Sequence, residues 1–130
     1  MDPWVAPIYA NMYQLLRRER VDQLLAGKQI EIVPVSYMRG RTFVDSCIIV
    51  DECQNLDHQQ TKMILQRIGL DSLMMFCGDT DQIDLKKSSE TGLQFLSKIA
   101  CKVDGMENIE LLHNHRHPIL DDILKFYDEA

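Results

Sequence analysis

Ser46-Cys-Ile-Ile-Val-Asp51-Glu52-Cys-Gln-Asn55 is a short apolar, β-branched run that ends in two adjacent carboxylates. Such a run reads as a buried parallel strand, and its carboxyl end is where open α/β sheets gather their ligands. An aspartate there suits the shell of a Mg²⁺ ion, and a glutamate beside it suits polarising an attacking water. A second apolar run, Leu73-Met-Met-Phe-Cys77, ends in Gly78-Asp79-Thr80-Asp81-Gln82. A third, Ile109-Glu-Leu-Leu112, is followed by Asn114 and Arg116. Neighbouring strands of a parallel sheet bring their carboxyl ends to one edge, so these separated residues are expected to converge on one cleft. An arginine in that cleft would neutralise charge spread over transferring phosphoryl oxygens. Each group also has a plainer use. Asp51 and Glu52 could be solvated acids beside a helix cap, Gly78–Gln82 a polar turn, and Arg116 a surface partner of Asp121 or Asp122.

The elements needed to hold these residues can be read from periodicity. Ile8, Met12, Leu15 and Leu16, then Val21, Leu24 and Leu25, follow helical spacing through the first thirty residues, with Gly27 as a stop. Ile30–Tyr37 reads as extended, with Pro34 marking an edge or bend. Residues 38–45 form a loop carrying Arg39 and Arg41, ahead of the strand Cys47–Val50. Asp57 is a good N-cap for a helix over about residues 59–68, closed by Gly69. Residues 90–99 form another amphipathic helix, Ile109–Leu112 a short strand, and Pro118 opens a last helix through Leu120, Ile123, Leu124 and Phe126. Strands alternating with helices imply an α/β domain with a mainly parallel sheet and flanking helices.

The chain has 130 residues, 45% hydrophobic and 26% charged, as expected of one globular domain. Its net charge of −6 argues against bulk non-specific binding to nucleic acid. Cys47, Cys53, Cys77 and Cys101 lack the spacing of a zinc site, and the two inside apolar runs, Cys47 and Cys77, read as small core residues in a reducing cytoplasm. No apolar segment approaches the ~20 residues that span a bilayer, and Met1-Asp-Pro-Trp4 does not resemble a secretory leader. An intracellular, soluble protein with no membrane partner is expected. Met63, Met74 and Met75 read as core packing, and Trp4, Tyr9 and Tyr13 as helix packing rather than base stacking.

Asp51-Glu52 has the form of the Walker B element of nucleotide hydrolases. Gly78-Asp79-x-x-Gln82 has the form of a helicase motif whose glutamine reads the γ-phosphate. Leu112-His-Asn114-His-Arg116 resembles the element whose arginine contacts that phosphate. Together with Met1-Asp-Pro-Trp4, Pro7-Ile-Tyr9, Ile30-Glu-Ile-Val-Pro34, Tyr37-Met-Arg-Gly-Arg-Thr42, Ile49–Asn55, Gly78–Asp84, Ser89-Glu-Thr-Gly-Leu93 and Arg116-His-Pro118, they make the chain resemble about the C-terminal two-thirds of a PhoH-like protein. That is the phosphate-starvation-inducible ATPase family related to superfamily-one helicases. The resemblance implies a RecA-like ATPase core, ATP and Mg²⁺ as ligands, ring-shaped oligomers in some members and RNA-directed activity in some. Carried over by position, Asp51 would hold Mg²⁺, Glu52 would be the catalytic base, Gln82 would sense the γ-phosphate beside Asp79, and Arg116 would contact it in cis or from a neighbour. Arg39 and Arg41 lie in a family signature and could face phosphate, nucleic acid or another subunit.

The sequence departs from the family in one large respect. No GxxxxGK[ST] loop occurs in the 130 residues, and Lys86-Lys87-Ser88 lacks a glycine-rich turn before it. Without that loop's N–H cradle and lysine, Asp51 and Glu52 have no anchored substrate, and an incomplete RecA-like core is expected to leave an unsatisfied sheet edge. Two function classes follow. One is an ATPase portion, inactive alone and completed by a P-loop supplied elsewhere. The other is a non-catalytic short paralogue that docks onto a full-length PhoH-like partner and regulates it. A third, a nuclease holding two metal ions through Asp51, Glu52, Asp79 and Asp81, leaves Gln82 and Arg116 without a role.

Overall fold

Strand β1 (Cys47–Val50) and strand β2 (Leu73–Phe76) lie side by side and parallel, with Cys47 opposite Leu73 and Val50 opposite Phe76. The computed structural model describes residues 5–80, 82, 90–112, 115 and 117–128. Around the sheet the chain forms α1 (Ala6–Leu15), α2 (Arg18–Ala26), α3 (His58–Leu65), α4 (Gly92–Ala100) and α5 (Ile119–Asp128). The class is therefore α/β with a parallel sheet, consistent with part of a RecA-like fold. No described helix is long and apolar enough to cross a membrane.

Side-chain alternation sets the layers, because residues two apart on a strand share a face. Ile48, Val50, Met74 and Phe76 belong to the covered face, where Met38, Val50, Cys53 and Ile64 make the core and Val33, Val35, Phe43, Leu56, Met63 and Leu93 pack around it. The opposite face carries Cys47, Ile49, Leu73 and Met75 and is bare: Ile49 is 63% exposed and Leu73 58%. The apolar runs predict buried strands, whereas the described residues cover only one side of the sheet. Cys47 and Cys77 are accordingly exposed, and of the four cysteines only Cys53 is buried.

Other boundaries differ for local reasons. The first helical stretch breaks at Leu16, whose extended backbone separates α1 from α2. Residues 30–37 form no strand. Pro34 has no N–H to give a ladder, and Val35–Tyr37 wind into a single 3₁₀ turn. Residues 109–112 form no strand and pair with no strand among the described residues, and Ile109, Leu111 and Leu112 are exposed. Gly69 is not a helix stop. Its N–H donates to Phe43 O at 2.7 Å, extending the parallel pairing backwards beside the Phe43–Ile68 bridge.

Helices α3 and α4 are started by side chains. Asp57 accepts from Gln60 N while the Gln60 side chain accepts from Asp57 N, and Thr91 and Gln94 make the same reciprocal capping box. The two helices touch where Gly92 meets Thr61. A Cβ on Gly92 would stand 1.8 Å from Thr61 Oγ1, so only glycine allows this approach. Glu90 ties the same pair together, bonding Lys98 on α4 and facing His58 on α3 at 3.7 Å.

Gly92→Ala should therefore destabilise the chain by about 1–3 kcal/mol through overpacking, read as a lower urea midpoint, and Thr61→Ala should recover part of the loss. The hydrogen bond from Lys98, with smaller contributions from the Lys98 and His58 charges, lowers the Glu90 pKa against the opposing effect of burial. A carboxyl depressed on folding contributes stability above its unfolded pKa and loses it as pH falls through the folded value. Acid unfolding curves of wild type and Glu90→Gln should thus separate above the ordinary carboxylate range and converge below it.

Candidate functional site

At the carboxyl ends of β1 and β2 the backbone turns sharply and is held across the strands. Cys77 N–H donates to Val50 O at 2.8 Å, and Cys53 N–H donates back to Cys77 O at 3.0 Å. Between these bonds Glu52 adopts a left-handed backbone (φ 52°, ψ 35°), a conformation that costs a residue with a Cβ on the order of 1 kcal/mol. The chain then winds into a 3₁₀ turn over Cys53–Asn55, with Cys53 and Gln54 buried and Asp51 and Glu52 exposed. The strand end thus points two carboxylates outward while sealing the two residues after them.

Asp51, Glu52, Gln54, Gly78, Asp79 and Gln82 line one cleft of about 170 Å³. Two of the three strand ends expected to converge do so. The third is not a strand, and Asn114 and Arg116 lie outside the described residues, as do Asp81 and Lys86–Ser88. Within the cleft, Asp51 Oδ1 accepts the Glu52 N–H at 3.0 Å. Gln82 Nε2 donates to Asp79 Oδ2 at 2.8 Å, and its N–H donates to Asp79 O at 3.2 Å. Gln54, which sequence reading treated only as part of a motif, is 2% exposed and bonds both segments: Nε2 donates to Glu52 Oε2 at 2.7 Å, and Oε1 accepts from Asp79 N at 3.4 Å. Gly78 is required for this, since a Cβ there would lie 2.7 Å from Gln54 Oε1. The sequence shows only a long polar side chain four residues beyond the strand end; that it is buried, and so must be hydrogen-bonded, is seen in the structure alone.

Arg39 and Arg41 do not line the cleft. Arg41 forks onto Glu31, with Nη1 to Oε1 at 2.9 Å and Nη2 to Oε2 at 2.8 Å, and lies over the Phe43 ring at 4.8 Å. That bond raises the Arg41 pKa and lowers that of Glu31. Arg67 braces the same loop from beneath, donating to Met63 O and Arg41 O. Buried Met38 anchors it in the core, while Arg39 is exposed and has no ion-pair partner among the described residues. His117 Nδ1 accepts from Ile119 N at 3.3 Å at the start of α5. Tyr9 stacks near Tyr13, whose ring Arg18 covers, while Trp4 lies outside the described residues.

The donor set is hard oxygen. Among the described residues no three His, Cys, Asp or Glu side chains gather as a metal cage. Mg²⁺ characteristically uses one or two carboxylates and completes its shell with water and phosphate oxygens, which the exposed Asp51 suits. Cys53 offers no competing chemistry. Burial, then the neighbouring Cys77, Asp51 and Glu52, push its thiol up to about 11.

The fold is an α/β domain whose parallel strands deliver an Asp-Glu pair and a Gly-Asp-x-x-Gln turn to one edge. The sequence belongs to the PhoH-like protein family, whose model matches residues 1–128. It is 38% identical over 131 residues to a PhoH-like protein of Bacillus subtilis, covering 99% of this chain and 41% of that protein. The PhoH-like protein of Synechocystis is 36% identical, covering 100% of this chain and 40% of the relative. Protein PhoH of Escherichia coli is 36% identical over 93 residues, 70% of this chain and 26% of that protein. The chain thus spans about two-fifths of the length of its full-coverage relatives, a smaller share than the two-thirds expected.

Native protein should show three readily alkylated thiols, Cys47, Cys77 and Cys101, with Cys53 reacting at least roughly tenfold more slowly until the chain is unfolded. Timed iodoacetamide labelling with peptide mass spectrometry reads each site separately.

Proposed function

We propose that this chain supplies the Mg²⁺- and γ-phosphate-facing wall of an ATP-hydrolysing site in the cytoplasm, completed by a phosphate-cradling loop from outside these 130 residues. The observation that carries the proposal is the single cleft formed by Asp51, Glu52, Asp79 and Gln82 at two paired strand ends. Its volume, about 170 Å³, is below the ~300–1,000 Å³ of a closed small-molecule site, as one wall of such a site should be. The bare outer face of the sheet supports the same reading, since parallel sheets are covered on both faces when complete.

Asp51 would hold Mg²⁺, which would supply charge neutralisation at the β- and γ-phosphates. The role of Glu52 is to accept the proton of the attacking water, and its exposed carboxylate is bonded by Gln54 at only one oxygen. Gln82, held on Asp79, would sense the terminal phosphate. Arg116 would contact that phosphate from this chain or from a neighbouring subunit of a homo-oligomer, and RNA is the partner that the family resemblance suggests. The second reading, a short non-catalytic relative docking on a full-length PhoH-like protein, draws on the exposed Ile49 and Leu73.

The chain alone should show no Mg²⁺-dependent ATP turnover, with or without RNA. Mixed with a P-loop-bearing segment of a family member, it should turn over ATP, and Glu52→Gln should lower that rate about 10²-fold or more. Turnover in the mixture that is indifferent to Glu52→Gln would remove Glu52 from catalysis. Tight association without any turnover would favour the docking reading.

A further inference from the structure

Gln54 joins two parts of the cleft that are 25 residues apart in sequence. Its amide has only one orientation that serves both partners, because a carboxylate can only accept and a backbone N–H can only donate. Nε2 must therefore face Glu52 and Oε1 must face Asp79. With the bond from Gln82 to Asp79, a continuous line runs Glu52–Gln54–Asp79–Gln82 across the cleft. The links are unequal. Those at the ends measure 2.7 and 2.8 Å, whereas the central one, Asp79 N to Gln54 Oε1, is 3.4 Å, beyond the usual N–H···O range of ~2.7–3.2 Å. A long central bond is the one that tightens or parts first when either end is moved. Gln54 itself cannot drift, because it is buried and packed against Gly78.

We propose that Gln54 is a positioning residue that couples the aim of the Glu52 carboxylate to the Gly78–Gln82 turn. A phosphate-bearing ligand that engages Gln82 or Asp79 would then re-aim Glu52 through the buried amide. This deepens the proposed function and rests on the reading of Glu52 as the base, but the coupling is a property of the chain itself and can be measured without nucleotide.

The experiment follows the Asp79 backbone amide resonance in the ¹⁵N-labelled full chain, with no nucleotide or metal added. Glu52→Ala should displace that resonance in the wild-type background. In Gln54→Met, which removes both bonds, the displacement should fall at least about threefold. In Gln54→Glu, which keeps an acceptor for Asp79 N–H but loses the donor to Glu52, it should fall equally. A residue that merely packs would shift Asp79 when replaced yet leave the effect of Glu52→Ala unchanged. Equal displacement in all three backgrounds, or none in wild type, overturns the proposal. Should Gln54→Met not fold, Gln54→Glu carries the comparison, and Glu52→Gln, which keeps an acceptor for Gln54, must displace Asp79 less than Glu52→Ala does. Since no nucleotide is present, loss of the coupling leaves the ATP-site reading intact, and failure of the ATPase experiment leaves the coupling intact.

Discussion

Parallel pairing of four residues with four, Cys47–Val50 with Leu73–Phe76, is the constraint on which the site depends. In-register pairing places Asp51 and Cys77 at the same height, one step past the ladder. The reciprocal bonds between Val50, Cys77 and Cys53 then lock the two exits together. A one-residue slip of β1 would turn Val50 out of the core and swing Asp51 to the other face. The register is therefore enforced by burial on the covered face, and the acidic cleft is a by-product of that burial.

The same sheet carries apolar surface that no described residue covers: Ile49, Leu73 and Met75 on its outer face, with Ile109, Leu111 and Leu112 exposed further along. Exposed contiguous apolar surface marks a place where protein is normally covered. The extent of the homologues agrees, since this chain corresponds to about two-fifths of the Bacillus subtilis relative.

Local braces hold the elements around the sheet. Met38 and Arg67 hold the loop carrying Arg39 and Arg41 from within, the Glu31–Arg41 fork holds it from outside, and capping boxes at Asp57 and Thr91 fix the starts of α3 and α4. Glycines at 78 and 92 permit two close approaches, the first at the cleft and the second between the helices behind it. The Ser89–Leu93 element that helps mark the family thus does structural work in its described part: Glu90 bridges, Thr91 caps and Gly92 fits.

The sequence by itself determined the local facts. Short apolar runs, β-branched in the first, marked both strands, Asp57 marked a helix start, and the Asp51-Glu52 and Gly78–Gln82 signatures marked the strand ends and, by resemblance, the family. These are legible because they depend on nearest neighbours: pleat, cap and turn chemistry act within a few residues. Only the tertiary structure decided which faces are covered, and so that Cys47 and Cys77 are exposed, that residues 30–37 and 109–112 form no strand, and that Arg41 is engaged by Glu31. It alone revealed Gln54 as the bridge between Glu52 and Asp79. Burial and long-range pairing depend on what lies opposite in space, and an apolar run encodes the capacity to be covered without encoding the segment that covers it.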